Sequence, residues 1–196
     1  MMKLLLTALV GAVVIFVWEF AAHMFTPLGE AGLNYLPAPE AVSSSLQSAI
    51  GGQAGMYIFP TGGLTADSSR AEKQKAMERM NEEMKTRPSG LLIYKPAGTE
   101  FKFGKSLAVQ FITDFAKALL AIGLLAQTRL VSFGRRVGFV VLAGCLAAIV
   151  TNIPYWNWYA FNGTYTISQI ATEIIGFFFA GLVIAWLFRP APTAAI

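Results

Sequence analysis

Cysteine and histidine occur once each in the 196 residues, as Cys145 and His23, and only 13% of the chain is charged. A lone cysteine excludes an intrachain disulfide and the thiol pair of a dithiol oxidoreductase. A lone histidine inside an apolar stretch leaves no triad for nucleophilic hydrolysis. Soluble domains average about 25% charged residues, so much of this chain has no ordinary water-facing surface. Gly62 and Gly63 lack the flanking strand, helix and lysine of a phosphate loop. The formal charge of +4 calls for no nucleic acid, because basic residues that set membrane orientation and meet anionic lipid account for it.

Hydrophobic residues make up 55% of the chain. They gather in four runs, residues 4–25, 106–127, 137–158 and 167–188. Each has about the 20 residues that a helix needs to cross a hydrocarbon layer of about 30 Å. The first run outlasts the core of a signal peptide, and Trp18 and Glu19 stand where a small-residue cleavage site belongs. It is therefore expected to be retained. Arg129, Arg135 and Arg136 lie between the second and third runs, Lys3 before the first and Arg189 after the fourth. Short basic flanks favour the cytoplasm, which places both termini there, with residues 189–196 as a short cytoplasmic tail. A bacterial inner membrane is the expected location. Tyr155, Trp156, Trp158, Tyr159, Phe161 and Tyr165 then mark the outer interface, where amphipathic rings anchor. Anchoring covers most of these rings, and a lipid or quinone cleft between them is the alternative reading.

The intervening segment, 26–105, reads as a small folded α+β cap on the outer side. Pro39 and Gly51 bracket a short helix. Ser69 and Glu72 have capping-box spacing at the head of a second helix. Met77, Met80 and Met84 form a stripe along that helix, read as packing rather than metal trafficking. Residues 91–94 and 100–103 flank a turn at 96–99 and predict a strand–turn–strand. The expected fold is an all-α transmembrane four-helix bundle with this small α+β extracytoplasmic insertion between its first and second helices.

Five ionisable residues interrupt the apolar runs: Glu19, His23, Asp114, Lys117 and Glu173. Charge in hydrocarbon is costly enough to mark function by default. Helical spacing groups Ala8, Ala12, Ile15, Glu19 and His23 on one stripe of the first helix. The same rule groups Gln110, Asp114, Lys117 and Ala121, then Gly144, Ala148, Asn152 and Tyr155, then Gln169, Glu173, Gly176 and Ala180. Each stripe has small residues toward the cytoplasm and polar ones toward the outside. Small residues let helices approach closely and polar ones avoid lipid, so both rules turn the same face inward. The expectation is a polar chamber in the outer half, formed by Glu19, His23, Gln110, Asp114, Lys117, Asn152, Gln169 and Glu173. Pro154 should kink the third helix beside it.

Three carboxylates there face one lysine and one histidine. The excess negative charge is relieved by a proton, a cation or water. Three functions correspond. In the first, the polar links are structural, and the protein is a non-catalytic accessory or binding subunit that meets a membrane-protein partner through its cap. In the second, Glu19, Asp114, Lys117 and Glu173 handle protons or cations, in sensing or transport. In the third, Glu19, His23, Asp114 and Glu173 hold a metal, although the Glu-x-x-His pairs of carboxylate-bridged bundles are missing. The sequence favours the first and names no cofactor.

Overall fold

The computed structural model describes residues 2–65 and 67–189. The order is α1 (Met2–Phe25), a short 3-10 turn (Pro27–Gly29), α2 (Pro39–Ile50), β1 (Gly55–Phe59), α3 (Arg70–Met84), β2 (Gly90–Tyr94), α4 (Phe103–Ala126), α5 (Phe133–Tyr159) and α6 (Gly163–Leu187). The chain is mostly helical. Four helices, α1, α4, α5 and α6, are long and apolar enough to cross a membrane. The chain divides into two compact units: residues up to Leu33 together with those from Lys102 on, and Asn34–Phe101.

In the helical unit, α1 packs against both α4 and α6, α6 packs against α5, and α4 meets α5 more lightly. The shared core is made of Ala8, Ala12 and Ile15 from α1, Ala118, Ala121, Ile122 and Leu125 from α4, Val140 from α5, and Phe177, Ala180 and Ile184 from α6. These residues come from the first part of α1 and α5 and the later part of α4 and α6, so sequential helices run antiparallel. Small residues set the approach. A Cβ on Gly11 would lie 3.2 Å from that of Ala118, and one on Gly144 would lie 2.4 Å from the Cβ of Phe177. Large apolar side chains such as Leu6, Val17, Ile112, Leu120, Leu142, Leu146 and Ile167 point outward instead. Small inside and large outside is the packing order of helices whose surroundings are as apolar as their side chains.

Connections are tied down locally. Thr26 caps the 3-10 turn through its side chain, and Ser168 Oγ donates to the Leu28 carbonyl at 2.7 Å. That bond fastens residues 26–33 to α6, so the folded insertion begins after Leu33. Asn162 caps α6, its Oδ1 accepting the N–H groups of Thr164 at 2.8 Å and Tyr165 at 3.3 Å. Pro154 lies inside α5, which continues through it to Tyr159. At the far end, Arg136 is buried. Its guanidinium donates twice to the Ala185 carbonyl, at 2.8 and 3.3 Å, and also to that of Val131. A cation at the last turn of α6 meets the negative end of the helix dipole and satisfies a carbonyl that has no partner within the helix.

In the second unit, β1 and β2 form an antiparallel pair, with Met56 opposite Ile93 and Ile58 opposite Leu91. This corrects the expected pairing of residues 91–94 with 100–103. Residues 96–99 do turn, with Thr99 N–H donating to the Pro96 carbonyl at 3.2 Å, but the chain then runs into α4. The physical reason is composition: 56–59 supplies apolar cross-strand partners, whereas 100–103 contains Glu100 and Lys102. Tyr94 ties the sheet to α2, its hydroxyl donating to the Gly51 carbonyl at 2.9 Å. The methionine stripe is corrected in part. Met80 is partly buried against the Gly62 loop, but Met77 and Met84 are exposed, and the buried residue of α3 is Ala76. Its carbonyl would lie 2.3 Å from a Cβ on Gly62, so a glycine in the left-handed region lets that loop close onto the helix.

Two predictions follow from these contacts. Gly144→Ala forces a methyl into Phe177 and should cost about 1–3 kcal/mol of overpacking. Gly138→Ala, where a Cβ meets nothing within 4 Å, should be neutral or mildly stabilising. Unfolding of the purified protein in detergent, measured for both variants, reads the difference. The second concerns α3. The capping box is complete, with the Glu72 carboxylate accepting the Ser69 N–H at 2.7 Å. Hydrogen bonds from Ser69, first its hydroxyl and then its backbone N–H, hold Glu72 below the usual carboxylate range. A lowered folded value stabilises α3 above the unfolded carboxylate's pKa, and that contribution disappears as pH falls through the folded value. The Ser69 amide resonance should therefore titrate in acid in the wild type and stay flat in Glu72→Gln.

Candidate functional site

Helix α4 carries Gln110, Asp114 and Lys117 at spacings of four and three, so all three share one face. That face meets Glu19 of α1. The Lys117 ammonium lies 2.7 Å from Glu19 Oε1, 3.0 Å from Asp114 Oδ1 and 3.3 Å from Glu173 Oε1 of α6. One cation thus faces carboxylates from three helices. Gln110 Nε2 donates to Glu19 Oε2 at 2.5 Å and to Asp114 Oδ1 at 3.1 Å. Asp114 is fully buried, while the side chains of Lys117, Glu19 and Glu173 are 18%, 14% and 24% exposed. Among the described residues, Asp114 Oδ2 is the buried side-chain polar atom with no hydrogen-bond partner.

The approach of α1 to α6 is set by a residue that the sequence reading used only against signal cleavage. Trp18 Nε1 donates to the Thr172 carbonyl at 2.8 Å. Its indole lies over Gly176, where a Cβ would stand 3.2 Å from Trp18 Cδ1. Trp18 and Thr172 each precede a member of the ion cluster by one position. The signal was available: an indole N–H beside an intramembrane acid must find an acceptor, and a glycine one turn from Glu173 leaves room for the ring.

Of the eight residues expected to line the chamber, five come together: Glu19, Gln110, Asp114, Lys117 and Glu173. Three do not join them. Asn152 Nδ2 donates within its own helix to the Ala148 carbonyl at 2.9 Å, and α5 contributes no side chain to the cluster. His23 is exposed, and its Nδ1 donates to the backbone carbonyl of Glu19 at 2.9 Å rather than to a carboxylate. Gln169 lies two turns above Gly176 and lines a separate cleft of about 490 Å³ together with His23, Gly32, Phe161, Asn162 and Tyr165.

The four-ligand metal reading therefore fails to assemble. Among the described residues no group of three His, Cys, Asp or Glu side chains is placed to hold a metal ion. Lys117 occupies the point where the carboxylates converge, and the imidazole of His23 is turned to a peptide carbonyl. The arrangement does two things chemically. It cross-braces α1, α4 and α6, using the three N–H donors of one ammonium. It also leaves two negative charges unmatched when every carboxylate is ionised, with one oxygen, Asp114 Oδ2, still able to accept a proton or a donor. No protein-family model, curated protein sequence or solved structure matches the chain.

Removing the cation strands the three carboxylates. Lys117→Met should destabilise the helical unit by about 3–5 kcal/mol, the cost of breaking a buried pair from one side. Adding Glu19→Gln, Asp114→Asn and Glu173→Gln to Lys117→Met should recover most of that loss. Denaturant unfolding of the single and quadruple variants in detergent checks the reversal; equal losses in the two would show that charge is not what binds these helices.

Proposed function

We propose that the chain is a non-catalytic integral membrane protein, an accessory or binding subunit whose four long helices span the bilayer. In this reading both termini face the cytoplasm of a bacterial cell, and Asn34–Phe101 is exported and meets a membrane-protein partner. Four helices of sufficient length and hydropathy support the membrane setting, as does their outward-facing apolar surface. The orientation rests on Lys3, Arg129 and Arg135 at one end of the helices and on Tyr155, Trp156 and Trp158 at the other.

The observation that carries the non-catalytic reading is the saturation of Lys117. An ammonium engaged by Glu19, Asp114 and Glu173 at once is a brace that fixes helix register, the best-attested use of buried charge. The half of the bundle beyond it is filled by Ala8, Ala12, Ala121, Ile122, Leu125 and Ile184, which offer no polar step across the membrane. A dead-ended polar group suits binding or assembly better than passage. The partnerless Asp114 Oδ2 favours a second reading, proton or cation handling by the same cluster.

Two measurements test these readings. With Cys145 replaced by alanine, single cysteines placed within Asn34–Phe101 should react in intact cells with a membrane-impermeant maleimide. One at position 129 should react only after lysis. In vesicles containing the purified protein and a trapped pH dye, an imposed potential should drive no more proton entry than in empty vesicles. Proton entry that is abolished by Glu173→Gln would replace the accessory reading with the second one.

A further inference from the structure

The cleft that holds His23 and Gln169 is built rather than incidental. Its floor is the segment after α1, pressed onto the start of α6. A Cβ on Gly32, whose φ is +78°, would lie 2.5 Å from the Tyr165 backbone nitrogen, and one on Gly29 would lie 2.6 Å from the His23 Cα. Only glycine lets the loop approach so closely. The bond from Ser168 to the Leu28 carbonyl holds it there.

One wall is aromatic. Phe161 and Tyr165 meet edge to face with centroids 5.8 Å apart, and Tyr155 stacks on Phe161 at 5.2 Å and 25°. Hydrogen-bonding groups stand round this wall with capacity to spare. The Gln169 side chain makes no hydrogen bond among the described residues. Asn162 uses its Oδ1 to cap α6, which leaves its amino group as a donor. His23 gives its Nδ1 proton to the Glu19 carbonyl, so in the neutral ring Nε2 is an acceptor. Neither lysine nor arginine lines the cleft, which disfavours a phosphate or carboxylate headgroup.

A volume of about 490 Å³ is in the range of small-molecule sites, which combine apolar walls with a few placed polar groups. The matching ligand is neutral and flat, with hydrogen-bonding oxygens on opposite edges. It offers an oxygen that accepts from an amide N–H at one edge and a hydroxyl that donates to the imidazole Nε2 at the other. We propose that this cleft binds the ring of a benzoquinol. The membrane-dissolved, tailed form of that ring would reach it from the outer interface, a route that rests on the bilayer reading above; recognition of the ring itself does not.

The test is anaerobic calorimetric titration of the detergent-solubilised full-length protein with two reduced probes, tail-less dimethoxy-methyl-benzoquinol and its decyl-tailed counterpart. Saturable binding to one site is expected. Gln169→Leu and His23→Leu should each weaken it about tenfold, the effect of one hydrogen bond lost. Cys145→Ala should leave it unchanged, and each variant is accepted only if its melting temperature matches the wild type. Binding of both probes with this sensitivity supports the ring site. Binding of the tailed probe alone, with the same sensitivity, supports it for the membrane-dissolved form. Unsaturable uptake, or binding indifferent to both substitutions, overturns the proposal. The maleimide labelling reports on the membrane reading separately, so failure of one is not mistaken for failure of the other.

Discussion

One ammonium group holds three helices at a common level. Lys117 reaches Glu19 on α1 and Glu173 on α6 while keeping Asp114 on its own helix within 3.0 Å. None of these side chains can slide by a turn without leaving a charge alone, because a turn of helix is about 5.4 Å and these contacts are short. The register of α1 against α4 and α6 is therefore electrostatic. Elsewhere it is steric. Gly144 receives Phe177, and Gly181 sits against the Val137 carbonyl and the Val140 side chain, so along their length α5 is keyed to α6 by shape, with the Arg136 hydrogen bonds to Ala185 at one end.

The two devices divide the bundle lengthwise. Where residues are small, around Ala8, Ala12, Ala118 and Ala180, backbones approach and dispersion dominates. Where side chains lengthen to Glu, Gln and Lys, the helices are held through polar tips instead. Trp18 sits at the junction, its ring against Gly176 and its N–H on the Thr172 carbonyl. Keeping polar tips paired matters most in surroundings that offer no competing water.

Periodicity made much of this legible. The spacing of Ala8, Ala12, Ile15 and Glu19 names the buried side of α1, and that of Gln110, Asp114 and Lys117 names the inward side of α4, because a helical period converts directly into a face. Periodicity does not say which helix each face meets. The stripe on α5 was drawn toward a shared centre, yet its glycine serves α6. Local back-bonding adds a second blind spot. Asn152 and His23 each reach the carbonyl four residues earlier in their own helix, an option open to any polar residue mid-helix. The β1–β2 pairing was hidden by distance along the chain, since α3 intervenes between the strands. Arg136 was read as one more orienting charge, and nothing in its immediate neighbours announces that it folds back over the end of α6.

The clasp between Arg136 and Ala185 has a bearing on how the chain is assembled. Joined at one end by the short 160–162 connection and at the other by that guanidinium, α5 and α6 form a closed antiparallel hairpin whose one acid is Glu173. Such a unit can settle into a membrane as a single piece. The other two long helices are more interdependent: Glu19 of α1 has its cation on α4, and Lys117 of α4 has two of its three carboxylates on α1 and α6. With residues 26–102 between them, the longest connection in the helical unit, α1 and α4 give Lys117 its Glu19 partner only once the whole insertion has been passed.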